Sequence, residues 1–187
     1  PWIVFPETKK GNKLILGSFP PKRFTMYPKK LIKNDVDFFY GSADNKFWEM
    51  FCDSNDLNFD WRINPEELKN YLTLNNWLVS DIIFKTTRKN ESALDKDLSV
   101  TEWNTKIIKD VIENNNIETI YFTSKGVQEK LCKNISPFLN KTPKKVILIS
   151  PSKSGLMSLN WAREIYEQKS ESNKDYRQKY YTHFLNL

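Results

Sequence analysis

Cysteine and histidine are scarce in this chain. Cys52 and Cys132 are the two cysteines among 187 residues. They are too far apart for a CxxC pair, and they exclude a thiolate zinc site and a four-cysteine iron–sulfur ligand set. His183 is the sole histidine and has no histidine or cysteine beside it in sequence. That removes a triad built on histidine and the zinc-deaminase signature, and leaves a surface residue as the expectation. No stretch approaches the roughly 20 apolar residues of a membrane span, and Pro1-Trp2-Ile3-Val4-Phe5 carries no basic region with a long apolar segment behind it. The expected setting is a reducing cytoplasm, with no metal, no cofactor, no iron–sulfur cluster and no membrane.

What is present suffices for one core. Apolar residues make up 39% of the chain and aromatic residues 14%, which predicts a single domain over residues 1–187 acting as a monomer. The formal charge is +6 and the isoelectric point about 9.2, so an anionic partner is favoured. Residues 1–46 hold 9 basic and 4 acidic groups, residues 47–140 hold 11 and 15, and residues 141–187 hold 9 and 4. The two ends are basic and the middle is not.

Four short apolar runs, Lys13–Leu16, Trp77–Phe84, Ile117–Phe122 and Lys145–Ile149, read as buried strands rich in Ile, Leu and Val. Helical patterns follow three of them. Thr101 reads as the N-cap of a helix carrying Ile107, Ile108, Val111 and Ile112, ended by Asn114-Asn115-Asn116. Ser124 reads as the cap of a helix with Val127 and Leu131, and Ser154 as the opening of another through Leu156, Leu159 and Ile165. A polar loop over Lys169–Asn173 precedes a last helix, Asp175–Leu185. The alternation predicts an α/β fold with three layers, α/β/α, around a mainly parallel four-stranded sheet.

In such sheets ligands bind outside the carboxyl ends of the strands. The rule selects Gly17–Tyr40, Ser80–Asn90, Thr123–Gly126 and Ser150–Gly155. The first loop opens Gly17-Ser18-Phe19-Pro20-Pro21, continues through Lys22, Arg23, Lys29, Lys30 and Lys33, and reaches Phe39-Tyr40-Gly41-Ser42-Ala43-Asp44-Asn45-Lys46-Phe47-Trp48. It lacks the GxxxxGK[ST] spacing of a P-loop. The last, Ser150-Pro151-Ser152-Lys153-Ser154-Gly155, offers small hydroxyls, backbone N–H groups and a cation, chemistry suited to a phosphate. Each also reads as ordinary structure: a strand-to-loop turn for the first and a capped helix start for the last.

Together these segments resemble the uracil-DNA glycosylase superfamily, and most closely its hypoxanthine-DNA glycosylase-like branch. There a strand ends in Gly-Ser-x-Pro-Gly and is followed by Tyr-Tyr-Ala-His-Pro-Arg-Asn-x-Phe-Trp. Here Leu14-Ile15-Leu16-Gly17-Ser18-Phe19-Pro20 and Phe39-Tyr40 through Asn45-Lys46-Phe47-Trp48 match in order. Trp77-Leu78-Val79-Ser80-Asp81-Ile82 resembles the branch's Leu-Trp-Asp-Val element, and Ser150-Pro151-Ser152 the superfamily's second motif. Pro21 replaces the motif's second glycine, a lysine-rich insertion lengthens the first loop, and Ser42-Ala43-Asp44 replaces His-Pro-Arg. Phe19 stands where many relatives carry a water-activating Asp, Asn or Glu, and its ring cannot polarise water.

The resemblance implies a monofunctional DNA glycosylase that flips a deaminated or damaged base and hydrolyses its N-glycosidic bond without a metal. Asn45 is then the catalytic residue, since a carboxamide can orient a water and stabilise positive charge on the sugar. Phe39 and Tyr40 supply the stacking face, with Gly17, Ser18, Phe19 and Asp81 completing the base pocket. Ser150, Pro151, Ser152, Lys153, Ser154, Gly155, Lys22 and Arg23 hold the DNA backbone. The competing structural roles are a helix cap for Asn45, core packing for Phe39 or Tyr40, a turn contact for Asp81 and plain solvation for the lysines. Two other functions fit the same residues: a silent nucleic-acid-binding module on this scaffold, and a hydrolase of free nucleosides or nucleotides.

Overall fold

The structure, a computed structural model, describes residues 3–8, 10–89, 95–150 and 173–185. A five-stranded sheet forms its centre, in the order β1 (Val4–Phe5), β3 (Trp77–Asp81), β2 (Lys13–Gly17), β6 (Thr119–Phe122), β7 (Lys144–Ile147). The four strands expected from the apolar runs are the parallel part, and β1 adds an antiparallel edge, pairing Val4 with Ser80 and Phe5 with Val79. Leu14, Ile15 and Leu16 are all fully buried because helices cover both faces. The pleat then divides them. Ile15 joins an aromatic-rich cluster with Phe47, Trp48, Phe51 and Trp77, beneath α2 (Phe47–Ser54), α3 (Pro65–Leu74) and α6 (Asn173–Leu185), while the short α1 (Lys22–Thr25) lies in the loop after β2. Leu14 and Leu16 join an aliphatic cluster under α4 (Thr105–Asn114) and α5 (Lys125–Asn134).

Local chemistry accounts for most boundaries. Pro65 opens α3 with Glu66 and Glu67 in its first turn, and Ser124 Oγ accepts from Val127 N at 3.3 Å at the start of α5, the expected cap. The expected helix after Thr101 begins later. Leu98–Trp103 is a strand, β5, in an antiparallel ribbon with β4 (Ile83–Arg88), and Asn104 takes the capping position of α4. Val100 pairs with Thr86 and Ser99 with Thr87 there, and Thr101 falls at a register shift between them and the Lys85–Glu102 pair, so strand pairing overrides the helix signal. The expected strand Trp77–Phe84 breaks at Ile82, its first half in the sheet and its second in the ribbon. Among the described residues no helix is long and apolar enough to cross a membrane. The helix expected after Ser154 lies outside the described residues.

Candidate active site

Strand order places the switch point between β2 and β6. The chain leaves β2 towards the face of α2 and α3, and leaves β6 towards the face of α5, so a crevice opens beyond Gly17 and Thr123. At its lip Gly17 and Asp81 are register partners in adjacent parallel strands. Tyr40 arrives from the first loop. A Cβ on Gly17 would stand 2.5 Å from Tyr40 Cε1 and 2.6 Å from both the Tyr40 hydroxyl and Asp81 Oδ1. Real Cβ contacts do not reach such distances, so glycine is required for the tyrosine and the carboxyl to meet over the strand end. The Tyr40 backbone has φ of 54°, the left-handed region that a bulky residue enters at a cost of about 1–2 kcal/mol. Its ring packs 4.9 Å from Phe47, and its hydroxyl donates to Ser80 O at 3.3 Å.

Asp81 is 8% exposed. Burial first, and then the negative charge of Asp95, push its carboxyl up to about 7. Burial and the Asp81 charge likewise hold the Tyr40 phenol well above its ordinary value, so it stays protonated and can donate. Asn104, itself buried, fixes the strand end by donating from Nδ2 to Asp81 O at 2.9 Å and Ser80 Oγ at 3.2 Å. Ser18 Oγ donates to Asp95 Oδ1 at 2.7 Å, and Lys130 Nζ from α5 holds the other carboxylate oxygen at 3.0 Å. Asp95 thus joins the two lips of the crevice. Sequence reasoning missed Asp95, Asn104 and Lys130, because their partners lie 23 to 77 positions away.

Beside Asp81 lies a cavity of about 530 Å³, between the loop after β2 and the ribbon. Phe19, Met26 and Phe84 give it apolar walls, and Lys22, Lys85 and Arg88 bring cations to it. Arg88 donates to Pro20 O and lies over the Phe19 ring, 5.6 Å from its centroid. A mostly apolar cleft with a few convergent polar groups is suited to a planar heterocycle.

No family model matches the chain, and no curated protein does. Among solved structures, the solution NMR structure of a candidate uracil DNA glycosylase from Methanosarcina acetivorans is similar, with a TM-score of 0.50 at 15% identity. The match covers 95% of this chain and 92% of that one. The chain has the uracil-DNA-glycosylase-like fold. At this identity the likeness is one of fold and carries no branch assignment.

Within the glycosylase-like fold the expected site residues separate into three groups. Gly17, Ser18, Tyr40 and Asp81 converge at the strand ends, and Phe19 and Lys22 line the adjoining cavity. Phe39, Arg23 and Asn45 are held in structural roles. Phe39 is 1% exposed in the aromatic cluster, where its carbonyl accepts from Trp48 Nε1 at 2.6 Å, so of the aromatic pair Tyr40 alone reaches the crevice. Arg23 makes a two-point ion pair with Asp35, at 2.6 and 2.9 Å, and donates to Ser42 Oγ at 2.8 Å. Its charge is matched within the loop. Asn45 Oδ1 accepts from Phe47 N at 2.8 Å, an Asx turn that leads into α2; Lys46, not Asn45, holds the N-cap position, and Asn45 is not among the residues lining the cavity. Ser150 follows β7 at the same end of the sheet, fixed from α6 by Tyr180 and Tyr181, which donate to Ile147 O and Ile149 O at 2.7 and 2.8 Å. Pro151, Ser152, Lys153, Ser154 and Gly155 lie outside the described residues.

Proposed function

We propose that the protein is a monofunctional DNA glycosylase. It draws a deaminated or damaged base, uracil, hypoxanthine or a relative, out of DNA and hydrolyses its N-glycosidic bond. The observation that carries this reading is the buried Asp81 carboxyl set against the Tyr40 hydroxyl over Gly17, beside an apolar cavity, in this fold. Cleavage passes through an oxocarbenium-like sugar while negative charge gathers on the departing base. A carboxyl still protonated near neutrality can donate that proton to the base. Water forms the new bond to C1′ and gives up its proton to solvent. Asn45 enters through Nδ2, the half of its carboxamide that the turn contact to Phe47 N leaves over, as the group that holds this water. Lys22 and the segment from Ser150 to Gly155 grip the flanking phosphates.

The test is base release from duplexes containing uracil, hypoxanthine, xanthine or a mismatch, read as alkali-labile abasic sites. Asn45→Ala is expected to lower release roughly 100-fold, about 2.7 kcal/mol of transition-state stabilisation. Full release by Asn45→Ala would reduce Asn45 to its contact with Phe47 N. Asp81→Ala is expected to fall by about 100-fold as well. The commitment of Asn45 Oδ1 to Phe47 N favours a second reading, a nucleic-acid-binding protein without turnover. Wild-type protein that binds every duplex and releases no base would establish it instead.

A further inference from the structure

Asn104 holds an acceptor that the fold does not use. It is 5% exposed and stands at the N-cap position of α4, yet its side chain makes no capping bond. Nδ2 donates to Asp81 O at 2.9 Å and to Ser80 Oγ at 3.2 Å. Ser80 Oγ gives its own proton to Ile3 O at 2.6 Å, so it can only accept from Asn104, and this fixes which way the amide faces. Oδ1 is left without a partner among the described residues, on a side chain that lines the cavity beside Asp81. Buried acceptors are ordinarily matched, so this one calls for a donor from outside the chain.

The other walls narrow the class of ligand. Ile3 and Phe84 line the same cavity while 43% and 40% exposed, apolar area that a planar ring can cover. Lys22, Lys85 and Arg88 add three cations. Lys85 enters no ion pair among the described residues, although Glu102 is its register partner in the ribbon. A base alone calls for none of these cations, and a phosphodiester brings a single negative charge. A terminal phosphate carries about 1.5 to 2 near pH 7. The volume of about 530 Å³ lies within the roughly 300–1,000 Å³ of pockets that enclose a whole small molecule.

We propose that this cavity binds a free nucleoside monophosphate, whose base donates a ring N–H to Asn104 Oδ1 while its terminal phosphate meets Lys85, Lys22 and Arg88. The apolar walls cover the faces of the base, the fixed acceptor selects a ring that carries a proton, and the cations select the doubly charged end. The inference goes beyond the glycosylase reading and is tested by binding, without base release.

The probe is inosine monophosphate, titrated into the wild-type protein by calorimetry beside inosine, inorganic phosphate, the nucleotide methylated at its ring N–H and the methyl ester of its phosphate. Inosine and inorganic phosphate should each bind roughly tenfold or more weakly than the nucleotide. Ring methylation removes the donor and should cost roughly tenfold, which tests Asn104 without disturbing its hold on Asp81. Esterification lowers the charge and should cost roughly fivefold. Lys85→Gln should weaken the nucleotide about tenfold and leave inosine within about twofold, and Lys85 is exposed, so the variant should keep its fold. A nucleotide bound no more tightly than inorganic phosphate, or equally well with its ring methylated, overturns the inference. A methyl ester bound as tightly as the free nucleotide assigns the cations to a DNA strand and overturns it too. Base release from duplexes without nucleotide binding removes this inference and leaves the glycosylase reading, whereas nucleotide binding with these dependences and no base released from any duplex does the reverse.

Discussion

Two carboxylates at one turn set the behaviour of the site. Asp81 is buried at the end of β3, and Asp95 is held on Ser18 by a 2.7 Å hydrogen bond, one residue from the glycine against which Asp81 lies. After burial, the Asp95 charge is what raises the Asp81 carboxyl to about 7. Lys130 partly offsets that charge, and Lys22, Lys85 and Arg88 face the same cavity. If the protonated carboxyl acts on the departing base, release should fall as the pH rises through about 7. Asp95→Asn should move that limb to lower pH. Lys130→Met, which exposes the Asp95 charge, should move it higher. A pH–rate profile of both variants checks the pair, because a simple loss of packing would lower the rate without moving the limb.

At the scale of elements, the long first loop depends on one ion pair. Burial pushes the Asp35 carboxyl up, but Arg23 and the amides of Ala43 and Ile32 outweigh it and hold the group below its ordinary value. That contribution is complete above the unfolded-state value near 4 and disappears as the pH falls through the lower folded value. Asp35→Ala leaves Arg23 without its carboxylate and should cost about 3 kcal/mol, roughly 6–12 °C in thermal midpoint, measured by calorimetry at pH 7. The pairing of residues 23 and 35 is invisible in the sequence, since a loop has no period from which to read it. The strands were legible for the opposite reason. Leu14-Ile15-Leu16 and Leu78-Val79 are apolar on both faces because the sheet is covered on both faces. The ribbon was not, because Lys85, Thr87, Ser99 and Thr101 interrupt its apolar positions and Thr101 also reads as a cap. Of the site, Gly17 and Asp81 could be read from their places at strand ends. The left-handed backbone of Tyr40 and the clasp of Asp95 could not, since both are imposed by partners remote in sequence.

At the scale of the whole molecule, β2 and β7 both run parallel to β6, so the lysine-rich insertion after β2 leaves from the same end of the sheet as Ser150 after β7. The buried carboxyl has a further consequence at this scale. Its burial exists only once β2, β3 and the first loop have met, which joins residues 17, 40 and 81. In the unfolded chain Asp81 titrates near 4, and in the folded one near 7. Between those values the folded state binds the extra proton, so stability should decline with rising pH by up to about 1.4 kcal/mol per unit from this group. Asp81→Asn should flatten that decline in urea titrations at several pH values. Completing the sheet in weakly acidic solution is therefore a proton-consuming reaction, and the heat of refolding near pH 5.5 should vary with the ionisation enthalpy of the buffer that supplies the proton.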